Sequence, residues 1–338
     1  MLFRARAPLR VSFAGGGTDV PPFPEQEGGL VLNATINRYA YGTLRPRADD
    51  QIKVESADFG LSIDYDRDAP LVFDGKLDLV KAAIRKLERG EPRGFDLFLR
   101  SSAPPGSGLG SSSTLMVTLV GLLKEFHGLP LTDYEIAQLS HTVERADVGI
   151  VGGSQDQYAA TFGGFNFIEF GGDQVIVNPL RIKADVIHEL EHNMLLYYTG
   201  KTRRSDGIIE DQTARFEGRD ENALAGLRMQ KQLAVEMKNV LLRGECDAFG
   251  DLLDEAWRYK KKMSPRISNP AIDEAYDEAR KHGALGGKVT GAGGGGYMLL
   301  YCAFERKHRV AEALAQLGGH PTEFAFEFGG LSTWTVPG

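Results

Sequence analysis

The chain has 338 residues, 42% of them hydrophobic and 25% charged, with a net charge of −7. That length suits two domains of ordinary size. An acidic balance, with only short basic patches and no basic run of nucleic-acid type, argues against nucleic acid as a partner. The cysteines, Cys246 and Cys302, lie far apart and lack metal spacing. Met1 to Arg10 has no apolar core of signal-peptide length, and no stretch reaches the roughly 18 apolar residues of a membrane span. The expectation is a cytoplasmic protein with neither disulfide nor membrane anchor.

In chain order, residues 1–13 read as a strand, broken at Ala14-Gly15-Gly16-Gly17. Residues 29–45, 54–65 and 95–99 are further strand candidates, and Leu77 to Leu87 has helical spacing. After the serine run at 111–113, Leu115, Met116, Leu119, Leu122, Leu123 and Phe126 mark a helix that Gly128 ends. Thr132 and Glu135 form a capping box for a second helix. A glycine turn at 149–153 precedes a short helix or turn around Asp156, and 162–170 returns to strand. Asn193 to Tyr198 reads as a strand. Helical patterns follow at 206–242 in two pieces, 249–261 and 271–282. Lys260-Lys261-Lys262 reads as a solvated helix end. Residues 283–296 are glycine-rich, 297–302 a buried strand, 306–317 a helix and 323–328 a last strand. The boundary falls near 180–190, giving domains over 1–185 and 186–338 with a ligand cleft where they meet.

The stretch Pro104-Pro105-Gly106-Ser107-Gly108-Leu109-Gly110-Ser111-Ser112-Ser113 carries the most chemistry. Three glycines permit close backbone approach to a ligand, so consecutive N–H groups can surround phosphate oxygens. The helix that follows adds unpaired N–H groups and a positive dipole end. Three hydroxyls are available for capping, for phosphate or for Mg²⁺. No lysine follows Gly110, which excludes a Walker A loop. Gly291, Gly293 and Gly296 satisfy Gly-x-Gly-x-x-Gly, but a strand follows rather than a helix, so a dinucleotide site does not fit. That loop is expected to bring backbone against a ligand or against 104–113.

Phosphoryl transfer also requires charge neutralisation, a metal site and an oriented nucleophile. Glu144 near the end of the second helix, Asp156 in Gly152-Gly153-Ser154-Gln155-Asp156-Gln157, and Arg10 on the first strand can supply these together. Each alone reads equally as a surface charge. Asp19, in the turn Gly15-Gly16-Gly17-Thr18-Asp19, suits the hydroxyls of a polyol. Lys201-Thr202-Arg203-Arg204 suits a phosphate already on the substrate, Arg giving bidentate contacts, and reads equally as a solvated loop.

With these motifs in place, the chain resembles the galactokinase/homoserine kinase/mevalonate kinase/phosphomevalonate kinase (GHMP) superfamily. The resemblance rests on three segments in order: Ala7 to Asp19, the 104–113 loop, and Lys288 to Gly296. Within the superfamily the chain is most similar to the D-glycero-D-manno-heptose 7-phosphate kinases, near the kinase part of fucokinases. The Gly-Gly-Gly-Thr-Asp turn, the 152–157 run and Thr199 to Arg203 carry that likeness. Galactokinases instead have Gly-Glu-His-x-Asp after the first strand.

The resemblance implies an α+β fold in two domains. The N-terminal domain would be like domain 2 of ribosomal protein S5, and the C-terminal one ferredoxin-like. It implies that Asp156 contacts the acceptor hydroxyl, with Arg10 beside it. Pro105, Gly106, Ser107, Gly108, Leu109, Gly110, Ser111, Ser112 and Ser113 would hold the ATP phosphates, and Ser112 with Glu144 the Mg²⁺. Gly17, Thr18, Asp19, Lys201, Arg203, Arg204, Gly293 and Gly294 would line the sugar. The expected partners are ATP and a small sugar phosphate, with a homodimer allowed. The rival readings are another sugar 1-kinase, for instance for L-fucose, and a catalytically silent sugar or nucleotide sensor. The sensor requires a damaged acid or metal site, whereas Glu144, Asp156 and the serines are intact.

Overall fold

In the first strand, β1 (Leu2–Ala14), Leu9, Val11 and Phe13 alternate with Arg10 and Ser12, so one face is apolar and the other polar. The apolar face packs against helices from the C-terminal half, and the polar face turns toward the cleft. The architecture described is that of a computed structural model. It covers residues 1–58, 60–66, 71–88, 94–172, 174–200 and 206–337.

The remaining strands are β2 (Gly29–Pro46), β3 (Gln51–Ser56), β4 (Leu61–Asp66), β5 (Phe95–Ser101), β6 (Phe165–Gly171), β7 (Gln174–Pro179), β8 (Met194–Tyr198), β9 (Ala284–Val289), β10 (Tyr297–Cys302), β11 (His320–Thr322) and β12 (Ser332–Val336). The first sheet has the order β12-β1-β2-β5-β3-β4. The long β2 serves two branches: its first part, Gly29 to Ala34, pairs with β6, and its last part, Ala40 to Pro46, with β5. Helices Asp78–Leu87, Ser111–His127, Asp133–Thr142 and Gln155–Phe162 pack on one side. The second sheet has the order β11-β8-β10-β9, antiparallel throughout. Numbered along the chain that is 4-1-3-2, the ferredoxin-like arrangement.

The two sheets share one core. Leu9, Val11 and Phe13 of the first sheet pack with Met237, Phe249 and Leu299 of the second half in a single buried cluster. The strand β12 also crosses back, pairing Leu2 with Val336 through Arg6 with Ser332. Strands β1 to β7 all precede residue 186, whereas β12 brings residues beyond it into the first sheet. Among the described residues no helix is long and apolar enough to cross a membrane, and both cysteines are free.

Three expectations need correction. Residues 54–65 form parts of two strands, β3 and β4, rather than one. Residues 323–328 are extended but belong to no strand beyond a single bridge between Ile36 and Phe326. Phe326 packs its ring on Phe165 and Phe324 packs on Phe326; the Phe326 N–H donates to the Glu191 carboxylate, and the Ala325 and Glu327 backbones bond at intervals to Asn37 and Thr35. The glycine-rich stretch hides β9. Its Gly286 lies so close under the helix Cys246–Met263 that a Cβ there would stand 2.0 Å from the Gly250 carbonyl oxygen. The helix Ala184–Asn193 carried no sequence expectation.

A shared core predicts that the halves unfold together. Phe13→Ala is expected to cost about 3–5 kcal/mol, as for other buried Phe truncations. Trp257 lies in the second half and Trp334 on β12 of the first sheet, so Trp→Phe variants at each position separate their signals during urea unfolding. Both midpoints should fall together; a fall in one alone contradicts the shared core.

Candidate active site

The site is built where the loop before the helix Ser111–His127 meets the loop between β9 and β10. Gly108 has φ +83°, and a Cβ on it would lie 2.5 Å from the Thr290 carbonyl oxygen. A Cβ on Gly291 would lie 2.8 Å from Gly108 Cα, and one on Gly296 2.2 Å from the Ser107 carbonyl oxygen. Tyr297 N–H donates to that same oxygen at 2.9 Å. The two glycine loops are therefore packed backbone to backbone.

Gly110 precedes the helix in a left-handed conformation, with no side-chain cap on the helix start. The first N–H groups of the helix thus stay open toward the cleft, which favours an anion there. The serines divide their roles. Ser111 Oγ meets Ser107 Oγ at 3.0 Å, Ser113 Oγ accepts from Gln157 Nε2 at 3.1 Å, and Ser112 Oγ donates to Glu144 Oε1 at 2.9 Å. Gly106, Gly108, Gly110 and Ser111 to Ser113 line the cleft. Leu109 instead fills the core, and Ser107 is buried behind the loop.

Glu144 lies in a π-helical turn, Val143–Asp147, in which Val148 N–H reaches back to the Val143 carbonyl. Widened turns of this kind recur at functional sites. Here the turn sits over the loop with a buried carboxylate, held also by Gln157 Nε2 at 2.7 Å. Among the described residues no group of three or more His, Cys, Asp or Glu side chains is gathered to hold a metal alone. The Ser112 hydroxyl and the Glu144 carboxylate, beside a phosphate-sized loop, fit Mg²⁺. That ion takes one or two protein oxygens and completes its shell with water and substrate phosphate.

Arg10 and Asp156 form the polar centre. Arg10 Nε and Nη2 both reach Asp156 Oδ1 at 2.7 Å, and Nη1 donates to the Gly108 carbonyl at 2.6 Å. The arginine is almost fully buried, and the aspartate is 18% exposed at the cleft. Asp156 opens the helix Gln155–Phe162, and a Cβ on Gly110 would come within 3.1 Å of its carboxylate. Asp19 braces the same helix from outside. It accepts from Gln155 N at 3.1 Å, Gln155 Nε2 at 3.2 Å and Gly17 N at 3.0 Å. A Cβ on Gly153 would lie 2.0 Å from Asp19 Oδ2, so Gly153 is what allows this approach. Burial pushes the Asp19 carboxyl up and the Asp156 charge adds to the rise, while the Gln155 and Gly17 amides oppose it.

Arg10, Gly17, Asp19, Gly106, Gly108, Gly110, Ser112, Glu144, Asp156 and Gly293 therefore meet in one cleft. Thr18 turns its hydroxyl to the carbonyls of Gly15 and Leu30. The Gly294 N–H is spent on Ile267. Lys201, Arg203 and Arg204 lie outside the described residues.

One sequence expectation is overturned. Lys260 is not a solvated helix end: it is 4% exposed and lines the cleft, its ammonium on the carbonyls of Gly291 and Val289. The signal was the helical period, because Lys260 continues the buried stripe Phe249, Leu253, Ala256 and Met263. Gln212, Arg145 and Ser12 also line the cleft without having been singled out. Arg145 braces the glycine turn that follows it by donating to the carbonyls of Ile150 and Gly153 at 3.2 and 3.0 Å.

Two family models match the chain: the GHMP kinases N terminal domain over residues 78–164 and the GHMP kinases C terminal domain over 237–320. The chain belongs to the GHMP kinase family. Within the family it is 41% identical to a D-glycero-alpha-D-manno-heptose 7-phosphate kinase of Campylobacter jejuni, over 98% of this chain and 99% of that one. The crystal structure of a D-glycero-D-manno-heptose 1-phosphate kinase from Bacteroides thetaiotaomicron superposes with a TM-score of 0.84 at 38% identity, covering 99% and 100% of the two chains. An L-fucokinase/L-fucose-1-P guanylyltransferase of Bacteroides fragilis is 29% identical over 87% of this chain and 34% of its own length. The chain is thus a kinase with the two-domain α+β architecture of its family.

Gly110→Ala is expected to separate fold from function. Its φ of +75° costs an L-residue about 1–2 kcal/mol, and the new methyl presses on Asp156. Turnover should fall much further than the unfolding free energy accounts for, measured by steady-state kinetics beside urea unfolding. Turnover matching the wild type would remove the close approach of Gly110 to Asp156 from the account.

Proposed function

We propose that this kinase transfers the γ-phosphoryl group of ATP to the anomeric hydroxyl of D-glycero-D-manno-heptose 7-phosphate, giving the 1,7-bisphosphate and ADP. The observation that carries the reading is the near full-length 41% identity to the Campylobacter jejuni kinase. The cleft geometry supports it. The open helix start and the loop at 106–113 hold the phosphates. Ser112 and Glu144 hold Mg²⁺, which when bound neutralises phosphate charge.

Asp156 is placed to receive a hydrogen bond from the acceptor hydroxyl. The acceptor oxygen bonds to the γ-phosphorus as the bond to the bridging oxygen of ADP breaks, and the hydroxyl proton passes toward Asp156. Arg10, fixed between Asp156 and Gly108, keeps the carboxylate aimed and adds positive charge beside the moving group. An anomeric hydroxyl is more acidic than an ordinary alcohol, so orientation counts for more here than early proton removal. Asp19 closes the sugar side. Lys201, Arg203 and Arg204 are the proposed holders of the 7-phosphate.

A phosphate position separates this reading from its neighbours, since the Bacteroides thetaiotaomicron protein is named for a heptose 1-phosphate and the Bacteroides fragilis one for L-fucose. A coupled assay over heptose 7-phosphate, heptose 1-phosphate, free heptose and L-fucose decides between them. The expected order places heptose 7-phosphate first in kcat/KM by more than about tenfold, the worth of one good charged contact. A higher value for either unphosphorylated sugar contradicts the reading.

Asp156→Asn is expected to lower kcat by about 10²–10⁴-fold, the usual worth of general-base help, with ATP affinity nearly intact. Undiminished turnover would remove Asp156 from the chemistry. Arg203→Ala should raise KM for the phosphorylated sugar far more than for its dephosphorylated analogue; equal changes would exclude that role.

A further inference from the structure

We infer that Lys260, from the second half of the molecule, is a further phosphoryl-binding cation that meets the transferred group from the side opposite Arg10. The inference rests on the proposed phosphoryl transfer and not on the identity of the sugar. Lys260 is buried yet lines the same cleft as Arg10, Asp19 and Asp156. Its ammonium donates to the Gly291 carbonyl and to Val289 O at 3.4 Å. Gly291 is the residue that packs on Gly108, and the Gly108 carbonyl holds Arg10. Two cations, one from each half, are thus anchored on the two peptides that touch at the seam of the glycine loops.

Only Arg10 of the two has a carboxylate partner. Among the described residues Lys260 has no ion pair, and carbonyl dipoles alone do not repay the burial of a charge. An ammonium has three N–H donors, and two are used here, leaving one for a ligand in the cleft. A buried cation with a spare donor beside a phosphate loop is what a developing phosphoryl charge requires.

The charged groups bearing on Lys260 are Arg10 on β1, Asp19 in the turn after it and Lys288 on β9. The helix Glu221–Arg243, packed on the same helix, presents Gly226 and Gln230 to it. Burial, then Arg10, pushes the Lys260 ammonium down to about 7, against a smaller opposing pull from Asp19. Above that pH the unfolded chain holds a proton that the folded one has released. The buried ammonium therefore destabilises the fold fully below about pH 7, and stability recovers as pH rises toward 10.5. A lysine kept for stability would lose stability when removed. This one should lose activity and keep or gain stability.

The test compares the full-length wild type with Lys260→Met, and with Lys260→Gln, which retains a donor to the carbonyls without the charge. Calorimetry at pH 8 in two buffers of different ionisation enthalpy reads protons taken up on binding Mg·AMPPNP or Mg·ADP. The wild type should take up more protons than either variant with AMPPNP, by about half a proton or more, and not with ADP. Steady-state kcat should fall by about 10²–10³-fold with KM for the sugar little changed, and the urea midpoint should hold or rise. Equal proton uptake in wild type and variants, the same excess with ADP, or wild-type kcat in Lys260→Gln would each overturn the assignment. The calorimetric arm uses nucleotide alone. A wrong sugar leaves it untouched and shows instead as no turnover of heptose 7-phosphate by the wild type.

Discussion

The structure depends on the contact of two glycine backbones. Gly108 and Gly291 touch with no room for a side chain on either, and Gly296 fits against Ser107 in the same way. Because the loops come from different halves, this seam sets the relative position of every group on either side. Arg10 reaches the Gly108 carbonyl, Lys260 the Gly291 carbonyl, and the open start of the helix Ser111–His127 lies between. A methyl group at the seam would lie 2.2–2.8 Å from the facing backbone and force the two loops to shift, and small positioning errors are costly in phosphoryl transfer.

Charge is arranged around that seam so that each buried group restrains another. Asp156 is fixed by Arg10, its helix by Asp19, and Glu144 by Ser112 and Gln157. Such preorganised dipoles act where charge develops and need no rearrangement during the reaction. The apolar side of β1 holds the arrangement rigid. Arg10 and Ser12 face the cleft, while Leu9, Val11 and Phe13 bind the first sheet into the core of the second half. One strand thus carries both the chemistry and the joint between the two layers.

Much of this was legible in the sequence, for identifiable reasons. Glycines at 106, 108 and 110 before a helical period announce an anion loop, and the strand after Gly296 showed that the other loop was not a nucleotide fingerprint. The same residue type hid β9, because Gly286 and Gly287 look like loop residues until the helix packed on them is seen. Lys260 was obscured by its neighbours: three lysines in a row read as solvent-facing, although only one of them falls on the buried stripe. Phe324 and Phe326 alternate like strand residues, but aromatic packing rather than a ladder holds them. Asp19 could be placed in a turn from sequence. Its bracing of the Asp156 helix across 136 residues could not.

The position of the reacting atoms between the two halves decides whether these groups act together. A crystal structure with Mg·AMPPNP and heptose 7-phosphate bound would show this. The phosphates should lie against the amides of 106–113, with the metal on Ser112 and Glu144. The anomeric oxygen should sit within hydrogen-bonding distance of Asp156, in line with the γ-phosphorus. An anomeric carbon turned away from Asp156, or phosphates bound outside the glycine seam, would contradict it.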